Sequence, residues 1–110
     1  MYFKILKEKD DKYYFSLSSD DDKLILNSSE WYESEYMAKD EIKILQNNLP
    51  ENSNYELFKT EDKDKIEKYY FIVKDSAWNN MWISTLYNSE LMLDSAILLL
   101  QYEWLESTLL

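Results

Sequence analysis

Any acid or base chemistry in this chain would have to come from carboxylates, lysines, serines and tyrosines. It carries 22 Asp and Glu against 12 basic residues, all Lys, and has no His, no Cys and no Gly. Lack of His removes the commonest general base and metal ligand. Lack of Cys excludes a thiolate nucleophile, a sulfur metal site and a disulfide. Lack of Gly excludes the phosphate loops and dinucleotide turns that need a backbone free of Cβ. Two acidic stretches, Asp20-Asp21-Asp22 and Glu61-Asp62-Lys63-Asp64-Lys65, have the look of calcium loops. Neither alternates oxygen ligands around a turn glycine and closes on a bidentate Glu, so both read as solvated turns. Paired carboxylates can do acid–base work, yet no pair here stands apart from the general acidity. The expectation is a protein with no metal, no cofactor and no catalytic residues.

The formal charge of -10 repels nucleic-acid phosphates and anionic lipid headgroups, so a macromolecular partner is expected to be basic. Lys4, Lys7, Lys9 and Lys12 are interleaved with Glu8, Asp10 and Asp11, which argues against direct nucleic-acid binding. The apolar stretch 91–105 is interrupted by Asp94, Gln101 and Glu103 and is too broken for a membrane span. Met1-Tyr2-Phe3-Lys4-Ile5 alternates as a strand does, not as a leader. A cytoplasmic location is expected, in a bacterial cell or a phage-infected host.

The elements that must position these side chains recur along the chain. Phe3-Lys4-Ile5-Leu6-Lys7 matches Tyr55-Glu56-Leu57-Phe58-Lys59, and Lys12-Tyr13-Tyr14-Phe15 matches Lys68-Tyr69-Tyr70-Phe71. Leu24-Ile25-Leu26 is aligned with Met81-Trp82-Ile83, and Tyr32, Ser34, Glu35, Met37, Ile42, Leu45 and Gln46 return as Tyr87, Ser89, Glu90, Met92, Ile97, Leu100 and Gln101. Each unit reads as three strands and a helix. Strands are expected at 2–7, 12–18 and 23–28, then at 54–60, 68–74 and 80–86. Helices are expected at 34–47 and 89–105, each opened by a Ser followed by Glu. Pro50 makes 49–54 the linker. The predicted fold is α+β: one domain, 1–110, of two tandem β-β-β-α repeats (2–48 and 55–106) with antiparallel sheets, one helix each, and a pseudo-two-fold axis. One unit alone would bury too little surface to be stable.

This order of Phe-x-Ile-x-Lys, Tyr-x-Phe-x-Leu, an Ile-x-x-Ser strand, and Tyr-x-Ser before a helix resembles the YegP-like tandem-repeat family over nearly the whole chain. The turn between the second and third strands departs from the family's Asn-Gly. It is Ser19-Asp20-Asp21-Asp22 in one copy and Asp75-Ser76-Ala77-Trp78-Asn79 in the other. The family's helix basicity is also lost. The resemblance implies a fold and no particular activity.

Strand alternation puts Phe3, Ile5, Tyr13, Phe15, Leu17, Leu24 and Leu26 on a helix-facing side, matched by Tyr55, Leu57, Tyr69, Phe71, Val73, Met81 and Ile83. The other side then collects Leu6, Tyr14, Ile25, Phe58, Tyr70, Ile72 and Trp82, which something should cover. The second helix has more apolar residues than one stripe needs. Tyr14, Ile25, Tyr70, Trp82, Leu98 and Trp104 are therefore candidates for a sheet or dimer contact, by self-packing or by partner docking. Asp20, Asp21, Asp22, Glu61, Asp62, Asp64 and Trp78, in the inferred turns, are candidates for partner binding.

Small size, acidity, a Lys, Asn, Ile and Tyr bias like that of AT-rich genomes, and no catalytic equipment suggest an inhibitor of a nucleic-acid-handling enzyme. An RNA-guided nuclease, with an anti-CRISPR or other anti-defence protein as its antagonist, fits that description. The alternative is a YegP-like bacterial homodimer with a housekeeping or stress role.

Overall fold

The computed structural model describes residues 1–28, 30–75 and 80–109, and at Asn80 and Met81 the backbone alone. Three strands, β1 (Tyr2–Lys7), β2 (Tyr13–Ser18) and β3 (Leu24–Ser28), precede helix α1 (Glu35–Asn48). Three more, β4 (Tyr55–Glu61), β5 (Glu67–Lys74) and β6 (Asn80–Ser84), precede helix α2 (Glu90–Glu103), and a short strand β7 (Thr108–Leu109) follows. The seven strands form one sheet in the order β4-β5-β6-β3-β2-β1-β7. β3 and β6 pair antiparallel at its centre, with Asn27 opposite Ile83.

Both helices begin in the same way. The hydroxyls of Ser34 and Ser89 accept from the backbone N–H of Met37 and Met92, at 3.1 and 3.2 Å, and Glu35 and Glu90 occupy the first turns. Each cap satisfies one orphan donor, and each carboxylate faces the positive end of the helix dipole. Before the helix, Tyr32 bridges to Tyr13 and Tyr87 to Tyr69. Their rings lie parallel to Phe15 at 5.9 Å and to Phe71 at 6.5 Å.

Three hairpin turns use one design. In each, the first N–H reaches the carbonyl four residues on, and a residue with φ near +60° follows the tight turn: Asp11, Asp22 and Lys65. Glycine is the usual occupant of that left-handed position. A chain without glycine fills it twice with Asp, which tolerates the conformation better than most residues, and once with Lys.

One core lies between the sheet and the helices. Phe3, Phe15, Leu17, Leu26, Phe71, Val73 and Trp82 project from the sheet, and Ala38, Ile42, Leu45, Leu93, Ile97 and Leu100 meet them from the helices. Full burial of a large apolar side chain contributes about 1.5–3 kcal/mol.

Two face assignments expected from alternation are corrected. Leu24 is exposed and Ile25 buried, because the β2–β3 register shifts between Leu17 and Ser18. Ile25 is the extra bulge residue and turns into the core beside Leu26. In β6, Val73 pairs with Trp82 and Ile72 with Ile83. Trp82 is therefore fully buried with Phe71 and Val73, and Ile83 lies on the open face. Aligning Trp82 with Ile25 was one residue off, and a one-residue slip exchanges the faces. The pairing sets Trp82 where β3 has Leu26. Ile25 and Trp82 are thus core residues of this chain and cannot form a sheet or dimer contact. Leu57 lies on the expected side but is 55% exposed, since among the described residues no strand lies beyond β4.

Candidate protein-binding surfaces

The helices cover one face of the sheet only, and the other is open. Following the pairings, that face carries Leu6, Tyr14, Ser16 and Asn27 in β1–β3, and Phe58, Tyr70, Ile72 and Ile83 in β4–β6. Phe58 and Tyr70 stack with ring centroids 5.0 Å apart. Leu6, Tyr14, Leu24, Asn27, Ile83 and the 64% exposed Trp31 line a shallow groove of about 780 Å³. The Lys12 ammonium sits 3.9 Å from the centre of the Trp31 ring, a cation–π contact that holds the indole upright at the rim. Tyr14 and Tyr70 are half-buried here. Trp31 was not among the residues singled out from sequence. The signal for it was a tryptophan in a polar run just before a helix.

A second surface is the outward side of α2. Leu91, Ser95, Leu98 and Tyr102 follow one another at steps of four, three and four residues, which places them along one side of α2, and Leu105 lies in the 3-10 turn just past its end. Leu91 and Leu105 are each 76% exposed and Tyr102 80%. Ser95 returns its hydroxyl to the Leu91 carbonyl. Glu90 and Asp94 flank this stripe on one side and Glu106 on the other, all exposed. No basic residue follows Lys74 in the sequence. Trp104, also expected at a contact, is half-buried against the core, while Leu98 is exposed.

The acidic turns are largely occupied by the chain itself. Asp20 accepts from the Met1 amino group at 2.7 Å and Asp22 from the Tyr2 hydroxyl at 2.6 Å. Asp21 accepts from the Ser19 hydroxyl and lies 3.8 Å from Lys23, and the Ser19 hydrogen bond first of all holds its carboxyl below the usual range. Asp62 accepts from the backbone N–H groups of Asp64 and Ile66 at 2.9 and 3.0 Å. Glu61 stands opposite Glu67. Asp20, Asp21 and Asp22 lie in a turn on one half of the sheet and Asp62 and Asp64 in a turn on the other, while Glu61, expected in that turn, is the last residue of β4. Trp78 lies outside the described residues. Among those residues no three carboxylates converge as a metal site requires, and no helix is long and apolar enough to cross a membrane.

The description "Domain of unknown function (DUF1508)" matches residues 8–56. The chain is 34% identical over 88 residues to UPF0339 protein YegP of Yersinia pestis, across 80% of this chain and 74% of that protein. It is 28% identical over 96 residues to UPF0339 protein plu2779 of Photorhabdus laumondii, across 87% and 80%. The solution NMR structure of yegP from E. coli superimposes with a TM-score of 0.78 at 24% identity, covering 98% of this chain and 89% of that one. That of UPF0339 protein SO3888 from Shewanella oneidensis gives 0.77 at 24%, covering 97% and 87%. At that identity the likeness speaks for the fold.

Proposed function

This chain belongs to the UPF0339 family of YegP proteins, and on that scaffold we propose a non-enzymatic module that binds a basic protein partner. The observation that carries this reading is the outward side of α2. Counted from the two N-caps, α1 holds Tyr36, Asp40, Lys43 and Asn47 where α2 holds Leu91, Ser95, Leu98 and Tyr102. The two helices share their caps and the inward pairs Ile42/Leu45 and Ile97/Leu100, yet outward α1 presents one large apolar side chain, Tyr36, where α2 presents Leu91, Leu98 and Tyr102. A contiguous exposed apolar stripe rimmed by charge fits a recognition surface. Because the rim is wholly acidic, the complementary surface is basic.

In its sharper form the reading makes the protein an inhibitor of a nucleic-acid-handling enzyme, whose groove already displays Lys and Arg for phosphate. An anti-defence role against an RNA-guided nuclease in the cytoplasm of an infected cell is one such case. The matched caps, bridges and core positions support reading the two halves as diverged β-β-β-α copies about an approximate two-fold axis. A homodimer through α2 is the competing use of the stripe. It would set Glu90 and Asp94 against Glu103 and Glu106 of an antiparallel partner, and that repulsion works against it.

The test is capture of partners from the producing cell with wild type and with Leu91→Lys/Tyr102→Asn. Wild type is expected to retain a protein of net positive charge, the variant to lose it, and binding to weaken as the Debye length shrinks to about 8–10 Å. Retention by the variant, or self-association of the wild type through this stripe, would defeat the reading.

A further inference from the structure

The two edges of the sheet are treated differently. On one side Thr108–Leu109 runs parallel to β1, with Thr108 beside Tyr2 and Leu109 beside Phe3, and closes part of that edge. On the other, β4 is the last strand, seven residues long, and pairs with β5 in unbroken register from Tyr55–Val73 to Glu61–Glu67. It has no proline and no bulge, and its one lysine, Lys59, is drawn toward Glu67 of β5, so its outward amides and carbonyls are left to pair with another strand.

The space beside that edge is shaped as well as open. Between β4 and α2 lie two adjoining clefts of about 370 Å³ each, which share Leu57 and Asp94 as walls. Leu93, Ile97 and Leu98 provide an apolar floor, and Glu90 stands at one end. Asp94 is exposed and has no ion-pair partner among the described residues. Lys59, the nearby cation, is engaged by Glu67 at 2.9 Å.

We propose that the β4 edge and this cleft accept an extended, basic segment of a partner protein as an eighth strand. Backbone hydrogen bonds to β4 supply the attachment. Alternate side chains point into the cleft, an apolar one against Leu57 and Leu98 and a lysine or arginine against Asp94 and Glu90. A second copy pairing edge to edge would bring the same carboxylates together, so the charge favours a basic strand. The inference rests on the protein-binding reading; its cleft shares Leu98, Glu90 and Asp94 with the stripe and its rim but does not include Leu91 or Tyr102.

The test uses a short capped peptide alternating lysine with valine, and its glutamate-for-lysine counterpart, with amide hydrogen exchange as the readout. Binding of the lysine peptide is expected to slow exchange in β4, and Asp94→Lys to weaken it about tenfold. Tyr102→Asn alone, which adds no charge and lies outside both clefts, should leave it unchanged. The proposal is overturned by equal binding of the glutamate peptide or by no slowing in β4. Protection of β4 in the free protein together with a dimer mass also overturns it, and gives the edge to a second copy. If the peptide fails while the stripe variant still loses its partner, this inference falls and the proposed function stands.

Discussion

The outer side of α1 is Tyr36, Asp40, Lys43 and Asn47, and the outer side of α2 is Leu91, Ser95, Leu98 and Tyr102. On the open face of the sheet Ser16 and Asn27 in one half face Ile72 and Ile83 in the other. Inside, by contrast, the halves agree closely: Phe15 and Phe71, Leu17 and Val73, Ile42 and Ile97, Leu45 and Leu100 are all buried. Even a local device recurs. Where β3 and β6 leave their neighbours, the hydroxyls of Ser28 and Ser84 accept the N–H of Phe15 and Phe71 at 3.1 and 2.9 Å. One architecture therefore tolerates both a polar and an apolar exterior. The apolar exterior of the second half is not something the fold requires, and the proposed partner binding rests on that difference.

The core position that holds the largest fully buried side chain gives the largest expected effect. Trp82 occupies the place of Leu26 and is fully buried, its indole N–H without a hydrogen-bond partner among the described residues. Trp82→Ala should cost about 3–5 kcal/mol in denaturant unfolding. Trp82→Phe should cost far less, since it also removes an unsatisfied buried donor. A loss below about 1 kcal/mol for Trp82→Ala would mean that the second half does not depend on this side chain.

The helix caps should respond alike. Ser34→Ala and Ser89→Ala are each expected to cost about 1 kcal/mol, because cap geometry and bond length match within 0.1 Å. A large inequality in thermal unfolding would show that the equivalence of the halves is only visual.

Much of this arrangement was legible before any coordinates. Every strand and helix boundary inferred from aromatic spacing, Ser-Glu caps and Pro50 lies within two residues of that observed for β1–β5 and α1–α2. The face of β3 was not legible, because a bulge at Ile25 leaves no mark in a run of three aliphatic residues. Nor was that of Trp82, since in β6 both Trp82 and Ile83 are apolar and alternation has nothing to grip. β7 is held by only two pairs to β1, a contact set by where α2 ends in space. The acidic turns were found correctly as turns. Their engagement by Met1, Tyr2 and backbone amides depends on neighbours distant in sequence.

Among the described residues three turn positions are left-handed, and they are filled differently. Asp11 and Asp22 serve the first half and Lys65 the second. Lys65→Gly should raise stability by up to about 1 kcal/mol, and more than Asp11→Gly, because Asp already suits that conformation. Equal gains in a urea titration would remove the distinction.

The smallest effect concerns a half-buried helix position that holds Glu41 in α1 and Ala96 in α2. One carboxylate oxygen of Glu41 is buried without a hydrogen-bond partner among the described residues. Burial chiefly, then repulsion from Asp75, Glu30 and Asp40, raises its pKa above the ordinary 4.5. The folded chain thus keeps this proton at pH values where the unfolded chain has released it. In that window the native state binds more protons, so stability falls as pH rises. The contribution of protonated Glu41 is complete below about pH 4.5 and is lost as pH climbs through the raised value. Glu41→Gln removes the charge at similar size, and Glu41→Ala installs the residue that α2 uses. Either variant should be more stable than wild type at pH 7, with the gap narrowing toward pH 4. The check is the denaturant midpoint of all three proteins at both pH values. A gap that is constant with pH would mean that packing, not the buried charge, separates α1 from α2 here. Added salt should narrow the gap only in part, because it screens repulsion from Asp75, Glu30 and Asp40 but leaves the burial cost in place.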